Sequence, residues 1–176
     1  KALLIAATNV QSGERVIFSN RKVYRRGSEE KVRRSDVATG ITVNRILASC
    51  SIPLVYPWTY DLDTEAFYWD GALVANTPLG AALDIMGDVP MNIKAEVVVV
   101  LMTPWRKDST VARNLPKSFG DAITWTLDWT LLASFRERLR LIEVYNELAK
   151  REREERKEKH QYREVDVVIV APDDFL

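Results

Sequence analysis

The sequence has one cysteine, Cys50, and one histidine, His160, among its 176 residues. A lone cysteine excludes an internal disulfide and fits a reducing compartment. One of each cannot build the usual four-ligand zinc site, and no carboxylates have the spacing of a calcium loop. None of the seven glycines is followed by another two positions later, so a dinucleotide fingerprint is absent, and so is a P-loop. No metal or nucleotide cofactor is therefore expected. Net charge is zero, with 25 basic and 25 acidic residues, which removes any global electrostatic case for nucleic acid or an anionic membrane. Apolar runs such as Val97–Met102 stop far short of the roughly 20 residues that span a bilayer. His160 lies in a densely charged stretch and reads as a solvated surface residue, which argues against a Ser-His-Asp triad. Cys50, with no histidine base near it, reads as a small buried residue rather than a nucleophile.

What is present points to an α/β protein. Hydrophobic residues make up 47% of the chain and charged residues 28%, enough for one domain with a sizeable core. The chain opens inside a strand-like run, "KALLIAATNV", so it reads as the later part of a larger domain whose targeting segment, if any, is not seen. Leu3–Ala7 suits a buried strand, "SGE" a turn and "RVIFSN" a second strand. Residues 20 to 36 read as a basic, solvated loop rather than a nucleic-acid patch. In "SDVATGITVNRILASCSIP", Ser35 and Asp36 are plausible caps of a helix with Val43, Ile46 and Leu47 on its apolar side, stopped by Pro53. Residues 54 to 66 form a loop. Asn76-Thr77-Pro78 resembles a helix start, and Gly87 a C-cap.

"AEVVVVLMTP" has the composition of a buried strand ended by Pro104. From Ser118 a long helix, or a pair, carries Phe119, Ile123, Leu127, Leu131, Phe135 and Leu139 at every fourth position. Trp125, Trp129 and Leu132 either form an apolar edge that meets lipid or pack in the core. Residues 148–164 read as a charged, solvated helix end laced with i,i+4 pairs. "VDVVIVAP" supplies a final strand. Strands alternating with helices imply a layered α/β fold with a largely parallel central sheet flanked by helices.

One short stretch invites a chemical reading. In "FYWDGALVANTPL", Asp70 follows three aromatic residues and precedes a glycine and an alanine. An Asp-Gly pair is also a common hairpin turn, whose aspartate bonds to nearby amides. The alternative is a carboxylate held at a strand end, its pKa raised by a half-apolar setting from Phe67, Tyr68 and Trp69, and able to act as a base.

The surroundings of Asp70 favour the second reading. "LLIAATNVQSGERVIFSN", "ILASCSIPLVYP" and "YWDGALVANTPLGAAL" occur in the order of motifs in the patatin-like phospholipase family, which the chain resembles over about residues 2 to 102. The last stretch is similar to the family's Asp-Gly-Gly/Ala motif, with Asp70, Gly71 and Ala72 at its positions. The resemblance implies a patatin-like fold and a lipid acyl hydrolase with a Ser-Asp dyad, in which Asp70 accepts the proton of the serine. The family's Gly-x-Ser-x-Gly elbow and glycine-rich oxyanion loop are missing here. Both would lie upstream of residue 1, so residues 1–176 would be the C-terminal part of the domain and inactive alone. The implied partners are a lipid or fatty-acyl ester, the upstream remainder of the domain and a peripheral membrane surface, in a cytoplasmic or membrane-associated protein, with no nucleic acid. A non-catalytic lipid-binding or protein-interaction module with the same fold is the alternative.

Overall fold

The opening run folds into the expected hairpin: β1 (Leu4–Asn9) pairs antiparallel with β2 (Arg15–Ser19), Ile5 opposite Phe18 and Ala7 opposite Val16. Asn9 shapes the turn, its side-chain oxygen accepting from the amides of Gln11 (2.9 Å) and Ser12 (3.1 Å), and Gly13 takes the left-handed conformation at φ 69°. The computed structural model describes residues 1–25, 32–75, 78–86, 93–101, 115–155 and 162–171. It divides into two units, Lys1–Val89 and Pro90–Leu176.

In the first unit β3 (Val37–Thr39) pairs parallel with β2, while β5 (Ala66–Asp70) lies antiparallel to both β1 and β4 (Thr59–Asp61). The strand order is β3-β2-β1-β5-β4. The protein is mixed α/β, but this sheet is mixed and mainly antiparallel rather than largely parallel. Links as short as residues 10–14 and 62–65 can close hairpins, whereas a parallel crossover needs about a dozen residues. Alternation along β2 sends Phe18 to one face, where it joins Ala7, Ala48, Ala66 and Tyr68. Ile17 goes to the other, with Val23, Val37 and Ala81. Helices cover both faces: α1 (Val43–Ser49) contributes Ala48 and α3 (Leu79–Ile85) contributes Ala81. A single short turn, α2 (Ala72–Ala75), follows β5.

Helix α1 starts later than the Ser35/Asp36 caps suggest. Val37–Thr39 is drawn into the sheet, and Asp36 is held by Arg15 (2.7 Å) and Arg34 (2.7 Å) instead of capping. Thr42 is the N-cap, its hydroxyl accepting from the Arg45 amide at 3.2 Å. Val43, Ile46 and Leu47, expected on the packed side, are exposed; the buried residues of α1 are Arg45 and Ala48. Arg45 explains the rotation. Arg45 is 1% exposed, and its guanidinium binds both oxygens of Asp61 at 2.9 Å, Asp63 at 3.1 Å and the carbonyls of Thr39 and Gly40 at 2.9 Å, and lies 4.9 Å from the centre of the Phe18 ring. Asp61 also accepts from the Thr64 amide and hydroxyl, and the Tyr68 hydroxyl donates to Thr64. A charge that hydrogen-bonded is stable inside, and it sets which way the helix faces.

The helix expected to open at Asn76-Thr77-Pro78 begins at Leu79, with Pro78 as an N-cap that makes no side-chain cap bond. Asn76, Thr77 and Gly87 lie outside the described residues. Arg34 ties this helix to the start of β3, reaching Asp36 at 2.7 Å and Asp84 at 2.6 Å. That contact holds the Asp36 carboxyl down to about 2.

In the second unit β6 (Ala95–Val100) and β7 (Val165–Val170) pair parallel, from Ala95 opposite Val165 to Val100 opposite Val170. Val97, Val99, Val167 and Ile169 pack with Phe135 and Leu139 of α4 (Phe119–Glu154). Val98, Val100 and Val168 are exposed, so β6 is covered on one face among the described residues, not on both as its composition suggests. The region from Ser118 is one helix with a Ser118/Asp121 capping box. Its every-fourth-residue stripe does not stay on one side, because four residues exceed the 3.6 of a turn and the stripe winds around the helix. Phe119 is 83% exposed while Phe135 is fully buried. The helix end is not wholly solvated either. Glu152 is buried and accepts from the Tyr162 amide at 3.1 Å, Arg163 is buried, and Arg153 pairs with Glu164. No described helix is long and apolar enough to cross a membrane.

Candidate functional site

Asp70 is the last residue of β5, and its backbone is fixed on both sides. Its carbonyl accepts from the Thr8 hydroxyl (2.9 Å) on β1, and its amide donates to the Ser51 carbonyl (2.9 Å) just beyond α1. Gly71 then turns the chain against β1. A Cβ there would lie 2.3 Å from the Ala6 carbonyl oxygen, so no residue with a side chain fits without moving the strand. The Asp-Gly pair is thus not a hairpin turn but the junction between a strand and α2.

The Asp70 carboxylate accepts one hydrogen bond, from the Ala72 amide at 2.8 Å. It faces a cavity of about 270 Å³ whose walls are Leu4, Ile5 and Ala6 of β1, Ser49 at the end of α1, Gly71 and Ala72, and Pro78. Burial pushes the carboxyl above its ordinary value of 3.8, and the Ala72 amide pulls the other way without cancelling it. Asp70 is therefore both an amide acceptor and a half-buried carboxylate at a cavity. The bond to a nearby amide and the half-buried place at a strand end, expected as alternatives, occur together.

Two rings of the aromatic run before Asp70 pack against other rings. Tyr68, 2% exposed, packs edge-on against Phe18 with ring centres 5.2 Å apart. Phe67 meets Trp58 and Tyr60. None of Phe67, Tyr68 and Trp69 is among the described residues that line the cavity.

Other candidates fall away from this site. Cys50, expected to be buried, is exposed. His160 lies outside the described residues. Trp129 is exposed on α4 but Leu132 is buried, so Trp125, Trp129 and Leu132 do not form one apolar edge. Among the described residues no histidine, cysteine or carboxylate cluster could hold a metal ion.

Sequence reasoning missed two features. Ser49 shares the cavity with Asp70. A broad apolar surface follows it, and its signal was legible: from Ile46 to Tyr60 no residue is charged. Ile46, Leu47, Ile52, Leu54, Tyr56 and Trp58 are all exposed there. Leu54 is 91% exposed and holds a left-handed φ of 70°, a conformation that disfavours side chains.

No protein-family profile matches the chain, and neither does any curated protein sequence.

Proposed function

We propose that the chain is the aspartate-bearing part of a patatin-like lipid acyl hydrolase. In this reading Asp70 is the base of a Ser-Asp dyad, and polypeptide outside these 176 residues supplies the serine. The observation that carries the reading is the Asp70 carboxylate itself, pinned through its backbone at a strand end, half-buried beside a cavity, and with its pKa raised by that burial. The serine attacks the ester carbonyl and Asp70 takes its proton. Backbone amides of the missing loop steady the oxyanion, and the alcohol leaves with the proton returned by Asp70. A water activated by the same carboxylate then releases the fatty acid. An ordinary aspartate is a weak base at neutral pH, and a raised pKa strengthens it.

The test is ester hydrolysis by the full-length protein. Because Asp70 must be ionised, kcat/KM for p-nitrophenyl butyrate is expected to climb with pH through one ionisation centred above 3.8 and then level off. A rate independent of pH on the acid side contradicts the assignment.

A lipid surface as partner is supported by the uncharged stretch around Leu54. Aliphatic Leu54 and Val55 stand furthest out, flanked by Tyr56 and Trp58, whose amphipathic rings favour a membrane interface. Burying one leucine is worth roughly 1.5–3 kcal/mol. Leu54→Glu combined with Trp58→Ala should therefore weaken partitioning onto phosphatidylcholine vesicles about tenfold or more, with an unchanged melting temperature. Unaltered partitioning excludes this surface as the contact. The same surface, with no Gly-x-Ser-x-Gly in the 176 residues, also suits a non-catalytic lipid-binding module. The hydrolysis assay separates the two.

A further inference from the structure

The stretch "ASCSIP" holds two serines with different fates. The Ser51 hydroxyl is spent inside the fold: it donates to the Leu47 carbonyl at 2.9 Å and shares a hydrogen bond with the Thr59 hydroxyl, also 2.9 Å. Ser49, the last residue of α1, lines the Asp70 cavity. Its hydroxyl has one contact among the described residues, the Cys50 sulfur at 4.0 Å, which is the outer limit of a weak bond. A hydroxyl that faces a cavity with so poor a partner is free to serve a ligand.

Its position is also rigid. Arg45 clamps α1 to Asp61, and the Ser51 carbonyl accepts from the Asp70 amide, so Ser49 and Asp70 are tied through a single backbone bond. The two groups are complementary. Ser49 can donate, and the ionised Asp70 carboxylate can only accept; its single bond, from Ala72, leaves its other oxygen open. Leu4, Ile5 and Ala6 of β1 line the same cavity.

We infer that Ser49 is a ligand-binding residue of this cavity, donating a hydrogen bond from its hydroxyl to the carbonyl oxygen of an acyl group held beside Asp70. The inference deepens the hydrolase reading and rests on it for the identity of the ligand as an acyl compound.

The probe is butyramide, a neutral amide whose carbonyl can accept from Ser49 while its NH₂ donates to Asp70. Titration into the full-length protein, followed by amide NMR shifts at Ser49, Asp70, Gly71 and Ala72, should show saturable binding. Ser49→Ala should weaken it about three- to tenfold, the loss of one hydrogen bond, with an unchanged melting temperature. Ser49→Thr, which keeps the hydroxyl, should bind like the parent. Ser51→Ala is the structural control and should lower the melting temperature instead. If butyramide shifts the Asp70 segment but Ser49→Ala binds equally well, the Ser49 assignment falls while the Asp70 site stands. If none of these amides responds, the cavity is not an acyl site and the hydrolase reading falls with it. If a butylphosphonate ester labels Ser49 covalently, Ser49 is a nucleophile and the hydrogen-bonding role assigned here is overturned.

Discussion

Asp70→Asn is expected to lower kcat/KM for ester hydrolysis by the full-length protein about 10²- to 10⁴-fold, the usual worth of a positioned general base. Asparagine has the same shape, and its Oδ1 still accepts from the Ala72 amide, so the strand end and Gly71 turn are retained. What it loses is the capacity to take a proton. The same substitution has a consequence for stability. Burial raises the Asp70 pKa above 3.8, so the folded state disfavours its charged form. That penalty is absent below 3.8 and complete once pH exceeds the raised folded value. Asp70→Asn should therefore melt no lower than the parent at pH 7, and any gain should vanish toward pH 3. Turnover retained within tenfold, or a large drop in melting temperature, contradicts the role.

The second large effect concerns the clamp that orients α1. Asp61→Ala leaves the buried Arg45 guanidinium with only the exposed Asp63 carboxylate at 3.1 Å, and removing one partner of a buried pair costs about 3–5 kcal/mol. For a chain of this size that corresponds to a fall of roughly 10 °C in melting temperature. Arg45→Met combined with Asp61→Leu removes both charges and should cost less than the single change. Burial alone pushes the Asp61 carboxyl up, but Arg45 and Thr64 outweigh it and hold it below 3.8. A depressed folded value means the clamp contributes fully above 3.8 and fades as pH falls through the folded value. The gap between parent and Asp61→Ala should close in strong acid. Stability within about 1 kcal/mol of the parent at pH 7 contradicts the clamp.

Strand positions were largely legible because β-branched runs bounded by turn residues leave few alternatives, as at Leu4–Asn9, Arg15–Ser19, Ala95–Val100 and Val165–Val170. Pairing direction was not, since it depends on which strands the chain returns beside; only the short links carried a hint. α1 was misread because periodicity assumes that apolar side chains choose the buried face, and here an arginine with a carboxylate 16 positions away chose it. The four-residue stripe in α4 failed for a geometric reason, the mismatch between its period and a helical turn. At the site, Asp70 and the small residues after it were visible in the order of motifs. The cavity was not, because sheet pairing far along the chain brings β1 beside Asp70. Ser49 could not be told from Ser51 until the hydrogen bonds of each were known.

The carboxyl ¹³C titration of Asp70 tests the account most directly. A half-buried carboxylate beside the cavity should titrate with its midpoint above 3.8, and the midpoint should move when butyramide occupies the cavity. A midpoint at or below 3.8, indifferent to the ligand, would mark an aspartate that only caps the amides of its own turn, and the proposed base would have no foundation.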